Sequence, residues 1–172
     1  MVNSSYYSIK DFNKLKPDKS SSFGLAHVNI ASPDAHIDDL RTVLCRLKTS
    51  FDVIGISEHK IRKDCEPSNN IMIPGFQEFE YVPTETHFGG TGFYVKSGVD
   101  FKERKDLNLN SAGNFEAMFI EIIFADRKNL IAGCIYRHGS GIPLRDFTSN
   151  YLEPTLEKIS NEKKRVRPYW RF

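Results

Sequence analysis

The chain has 172 residues, of which 40% are hydrophobic and 27% charged, a size and balance that fit one compact domain and exclude a wholly disordered chain. A formal net charge of +2 excludes the strong basic signature of a purely electrostatic DNA binder. Cys45, Cys65 and Cys134 lie far apart without a C-x-x-C pair, and no run approaches the ~20 apolar residues of a membrane span, so disulfide-framework, zinc and membrane classes are excluded; without an apolar leader the chain reads as intracellular, in nucleus or cytoplasm, and not secreted.

Residues 1–22 are polar, with Pro17 and Ser20-Ser21-Ser22, and read as a flexible lead-in. Order begins at Phe23: residues 23–30 are mostly apolar and stop at Ala31-Ser32-Pro33, which predicts a buried strand, a turn and a helix capped by Ser32 or Asp34. Ile37, Leu40, Val43, Leu44 and Leu47 form one apolar stripe on that helix. The run 52–57 is short, continuous and β-branched, as in a strand buried on both faces, so the opening unit is strand, helix and parallel strand.

After Glu58 the pattern loosens as far as Pro74-Gly75. Gly89-Gly90-Thr91-Gly92 lacks a lysine and a following helix, and so reads as a tight turn into a strand rather than a phosphate cradle. Residues 115–124 alternate, with Met118, Ile120, Ile122 and Phe124 on one face, and residues 130–136 return as an antiparallel partner. A Gly/Pro loop leads to a helix over 144–160, in which Pro154 forces a kink or a new start. Residues 165–172 are basic and aromatic and match neither helix nor strand periodicity; this cluster, like Lys60/Arg62/Lys63 and Lys102/Arg104/Lys105, reads as solvated surface.

Glu58 is the residue with the clearest chemical promise, because a carboxylate just past the end of a buried apolar strand sits where ligands gather in α/β folds. Asn29 ends the neighbouring strand, and its amide oxygen is a hard donor that could share a Mg²⁺ with a carboxylate; an Asx-turn is the structural alternative. Tyr136, Arg137 and His138 place a phenol, a guanidinium and an imidazole at another strand end, suited to a phosphate and a proton transfer; the alternatives are half-buried packing for Tyr136, a surface acid pair for Arg137 and an exposed loop position for His138. His27, His36, His59 and His87 show no ligand spacing.

Val28-Asn29-Ile30, Ile56-Ser57-Glu58, Pro74-Gly75-Phe76, the Gly-Gly-x-Gly at Gly89 and Ile135-Tyr136-Arg137 occur in an order that resembles the endonuclease/exonuclease/phosphatase superfamily, and within it the endonuclease domain of non-LTR (LINE-type) retrotransposons. The resemblance implies an α+β, deoxyribonuclease-I-like α/β/β/α sandwich, reduced here to about its N-terminal half, with one mixed sheet and two main helices over 23–164 and a non-family tail over 165–172. It also implies that Glu58 binds the catalytic Mg²⁺ (Mn²⁺ as substitute), that Asn29 belongs to the metal and phosphate network, and that Tyr136 meets the scissile phosphate of DNA.

The family's Gly-Asp-x-Asn and Ser-Asp-His segments do not occur in the chain. The resemblance therefore implies an inactive fragment whose inner sheet face, with Met118, Ile120, Ile122 and Phe124, lies open to a partner. Two further readings stand beside it: a non-catalytic nucleic-acid-binding module, and a phosphodiesterase of the same superfamily acting on a phospholipid or inositol phosphate.

Overall fold

The structure, a computed structural model, describes residues 5–15, 23–67 and 69–162, and the backbone of 165–171. Strand β1 (Leu25–Asn29) lies parallel to β2 (Val53–Ser57), in register from Leu25 opposite Val53 to Asn29 opposite Ser57. The connection between them is helix α2 (Pro33–Arg46); a single short turn, α1 (Ile9–Phe12), precedes both inside the segment read as a lead-in. Strand β4 (Thr91–Val95) runs antiparallel on the other side of β2, and β3 (Glu80–Val82) pairs with β4, so this sheet has the order β1-β2-β4-β3.

A second sheet holds β5 (Phe101–Glu103), β7 (Phe115–Ile122), β8 (Leu130–Arg137) and β9 (Arg165–Arg171) in that order, with β6 (Leu109–Ser111) also paired to β7. The α+β expectation holds, but the strands divide between two sheets instead of forming one mixed sheet. The physical reason lies in the alternation of β7 and β8. Both of their faces are apolar, so they must be covered twice.

One cover is the first sheet. Val53, Phe93 and Val95 pack against Met118, Ile120, Ile122, Ala132 and Cys134, and Gly55 lies against Cys134. The face expected to be open is thus the centre of the molecule, each large side chain contributing roughly 1.5–3 kcal/mol by leaving water. Phe124, at its edge, is partly buried and meets Phe23 edge-on at 5.2 Å. Burial also pushes the Cys134 thiol up to about 12, while its Sγ–H donates to Ile56 O.

The other cover is helical. Phe147, Leu152 and Ile159 pack on Phe115, Phe119, Ile131 and Ile135. They come from α3 (Leu144–Phe147), a π turn (Thr148–Leu152) and α4 (Glu153–Asn161). Where Pro154 led to the expectation of a kink or a new start, the backbone stays helical at Thr148, Leu152 and Glu153, and the π turn just before the proline takes up the change. On the far side of the molecule α2 lays Ile37 and Leu40 on Ile54, Ile56 and Tyr94, which completes four layers: helix, sheet, sheet, helix.

Two basic or aromatic segments differ from expectation. Arg104, read as solvated, is 8% exposed, because it joins Asp106, Glu121 and Glu162. The backbone of 165–171, read as aperiodic, runs parallel to β8 from Arg165 opposite Leu130 to Arg171 opposite Tyr136; Pro168 is tolerated there because β9 is an edge strand. The side chains of that tail, and residues 1–4 and 16–22 of the lead-in, lie outside the described residues. No helix among the described residues is long and apolar enough to cross a membrane.

Candidate functional site

The parallel register that sets Asn29 opposite Ser57 brings the ends of β1 and β2 together, and Glu58 follows at once. Asn29 Nδ2 donates to Glu58 Oε1 at 2.6 Å, while Asn29 Oδ1 accepts from Ala31 N at 3.2 Å. One amide therefore closes the Asx-turn offered as its structural alternative and also donates to the Glu58 carboxylate.

The backbone here is unusual. Ala31, Ser32, Glu58 and Lys60 have φ of 51°, 121°, 59° and 56°, and these are the non-glycine residues with positive φ among the described residues. Each such residue costs on the order of 1 kcal/mol or more, and all belong to the two turns leaving this end of the first sheet. Strain of this kind persists only where the surrounding structure holds the backbone in place.

Tyr136 does not share a sheet with Asn29 and Glu58. It reaches the same end of the sandwich from the second sheet, a correction to the expectation that one mixed sheet carries all three. The alternation explains how. Gly55, Phe93, Met118 and Cys134 form an apolar layer between the sheets, and two residues further along each strand the inward positions are Ser57, Thr91, Glu116 and Tyr136. At this one end the interior turns polar.

Within that polar row the Ser57 and Thr91 hydroxyls are fully buried without a hydrogen-bond partner. Glu116, 3% exposed, accepts from Thr84 Oγ1 at 2.6 Å and from Gly90 N. His138 is 8% exposed, its ring stands edge-on to Tyr136 at 4.9 Å between centroids, and its buried Nε2 has no hydrogen-bond partner. A side chain at Gly89 would strike both the Glu116 carboxylate and His138 Nε2, so glycine with φ of 83° is required where the loop passes between them.

Arg137 is not brought into this group. By alternation it lies on the Ile135 face, and its Nη1 donates to the carbonyls of His138 and Ile142 at 3.2 and 3.1 Å, which holds the loop after β8. His59, next to Glu58, is buried under Phe79 and Tyr81; Ile61 N donates to its Nδ1 at 2.9 Å, so Nε2 carries the proton given to Val82 O at 3.1 Å. Burial lowers its pKa to about 4 and keeps it neutral.

The donor chemistry fits a hard divalent cation. Glu58 is half-buried, one of its oxygens is steadied by Asn29, and Asn29 Oδ1 retains a second lone pair. Mg²⁺ needs only one or two protein oxygens besides water and substrate. Among the described residues no three His, Cys, Asp or Glu side chains converge on one point, so such an ion would rest on this sparse pair.

Sequence reading missed Glu116, Thr84, Ser57 and Thr91. Glu116 did carry a signal: a charge inside the otherwise apolar stretch Phe115–Met118, near the start of a two-sided buried strand.

The chain matches no family model and no curated protein. Among solved structures it resembles the AP endonuclease LMAP from Leishmania major, with a TM-score of 0.57 and 17% identity over 90% of this chain and 56% of that one. It also resembles the catalytic domain of Xenopus laevis APE2, with a TM-score of 0.56 and 16% identity over 84% and 56%. A further match is the 3′ phosphatase NExo from Neisseria, a structure bound to product DNA hairpin, with a TM-score of 0.50 and 13% identity over 81% and 52%. The likeness is one of fold: these are deoxyribonuclease-I-like sandwiches, and the chain has that architecture while spanning just over half their length.

Proposed function

We propose that this chain carries the metal and phosphate pocket of a DNA-directed phosphodiesterase and, following its sequence resemblance, derives from the target-site-nicking endonuclease of a non-LTR retrotransposon. The carrying observation is the Asn29–Glu58 hydrogen bond at the end of the sandwich that Tyr136 and His138 also reach.

In this reading Glu58 holds Mg²⁺, or Mn²⁺ in its place, and Asn29 fixes the direction of the carboxylate. When bound, the ion supplies stabilisation of the charge that builds on a phosphate. The Tyr136 phenol donates to a phosphate oxygen, and His138 Nε2, unpartnered and close by, gives or takes a proton there. Arg137 keeps the loop that carries His138 in place. The 172 residues contain neither Gly-Asp-x-Asn nor Ser-Asp-His, the segments that supply the activating Asp in the family resembled, so the chain alone does not hydrolyse at an appreciable rate.

The test incubates the purified chain with supercoiled plasmid and Mg²⁺ and, in parallel, titrates it with Mn²⁺ by calorimetry. We expect no nicking, and Mn²⁺ binding that Glu58→Gln abolishes. Nicking that vanishes in Glu58→Gln overturns the inactivity and keeps the site. Mn²⁺ binding indifferent to Glu58→Gln overturns the site.

A further inference from the structure

Glu116 belongs to the second sheet, yet both of its carboxylate oxygens are used by loops of the first. Oε1 accepts from Thr84 Oγ1 and Oε2 from Gly90 N. From Gly90 the connection runs straight to the proposed metal ligand: Gly89 O accepts from Lys60 N at 2.9 Å, and Lys60 and Glu58 are the left-handed residues of the turn that presents the Glu58 carboxylate. The ring of His59, between them, lies directly against the α-carbon of Gly90, where no side chain would fit. Thr84 reinforces the same loop, since Thr84 N donates to Ile61 O and Thr84 Oγ1 accepts from Thr86 N at 3.2 Å.

On its own sheet Glu116 is the register partner of Tyr136, and both face inward. One buried side chain thus touches the strand pair that carries Tyr136 and the loop that sets Glu58. Packing alone does not specify such a group, because a carboxylate 3% exposed costs free energy unless its hydrogen bonds are made. A hydrophobic residue here would cover the same area and leave Gly90 N without an acceptor.

We infer that Glu116 is a positioning residue, which fixes the separation between the Glu58 carboxylate on one sheet and the Tyr136 phenol on the other by pinning the Gly89–Gly90 turn across the gap. It touches neither ion nor phosphate. The inference rests on the reading of Glu58 as the cation ligand, and the test separates the two.

Amide hydrogen exchange in metal-free protein and Mn²⁺ titration are measured on Glu116→Gln, Glu58→Gln and Ile120→Val, the last a core change remote from the loop. Glu116→Gln puts an NH₂ or a neutral oxygen where Gly90 N needs a carboxylate. We expect it to lower protection at Gly90 and Lys60 and to weaken Mn²⁺ binding roughly tenfold or more, the usual effect of losing a group that orients a ligand. In the same samples, Mn²⁺-induced relaxation of the Tyr136 ring at saturating ion should change in Glu116→Gln. A simple loss of stability, as in Ile120→Val, should leave both affinity and relaxation as in the parent.

If Glu116→Gln does not fold, Thr84→Val, which removes the hydroxyl donated to Oε1, is read in the same way with a smaller fall. Unchanged Mn²⁺ affinity and Tyr136 relaxation in the Glu116 variant, with binding abolished by Glu58→Gln, overturns the positioning role alone. Binding that survives Glu58→Gln overturns the site and this inference with it.

Discussion

Two hydrogen bonds fix the tautomer of His59, with Nδ1 accepting from Ile61 N and Nε2 donating to Val82 O, and the ring is buried edge-on against Phe79 and Tyr81. Protonation would need a donor where Ile61 N already stands. The folded pKa, held by burial at about 4, is therefore below the ordinary 6.5, and the unfolded chain binds the proton first as pH falls. Stability from this residue is complete above about pH 6.5, declines as pH falls toward about 4, and declines no further below. The gap corresponds to on the order of 3 kcal/mol. Urea denaturation across that range should show the slope, and His59→Gln, whatever its absolute stability, should flatten it. Of the residues singled out from sequence, Asn29 and Glu58 are legible because strand ends in a parallel pair must lie side by side. Glu116 escaped notice because its partners, Thr84 and Gly90, are remote in sequence.

Strands β1, β2, β4, β7 and β8 were readable because each is a run of apolar or alternating residues with a turn signal at its end. Strands β3, β5 and β6 have three residues each, too few to show a period, and exist because neighbouring strands offer free hydrogen-bonding edges. Gly92 marks how closely β3 approaches β4. A Cβ there would sit 2.6 Å from both Glu80 O and the Phe79 ring, so Gly92→Ala must push β3 away. We expect a loss of about 1–3 kcal/mol in denaturant unfolding. Because Phe79 also packs against Tyr81 and Tyr94, near-ultraviolet circular dichroism should change as well. Stability unchanged within error would show that β3 is not held at the position described.

At the scale of the molecule, Arg104 ties the end of α4 to the second sheet, meeting Glu121 of β7 at 3.2 Å and Glu162 just past α4 at 2.5 Å, with Asp106 at 2.8 Å. The paired carboxylates raise its pKa above the ordinary arginine value, Asp106 foremost. Arg104→Met keeps much of the stem and removes the guanidinium from Glu121, 1% exposed, and from Glu162 and Asp106. Unfolding free energy should fall by roughly 2–4 kcal/mol, and thermal denaturation that matches the parent would refute the tie. The sequence by itself determined the elements with long periods, the parallel opening unit, the α+β class and the meeting of Asn29 with Glu58, because each of these follows from neighbours in the chain or from a single register. Only the tertiary structure decided that β7 and β8 cross to a second sheet, that their inner face is the core rather than an open surface, and that the polar ends of four strands coincide. A pattern of two-sided burial states that covers are needed without saying which segments provide them, and that choice is made by packing between residues far apart in the chain.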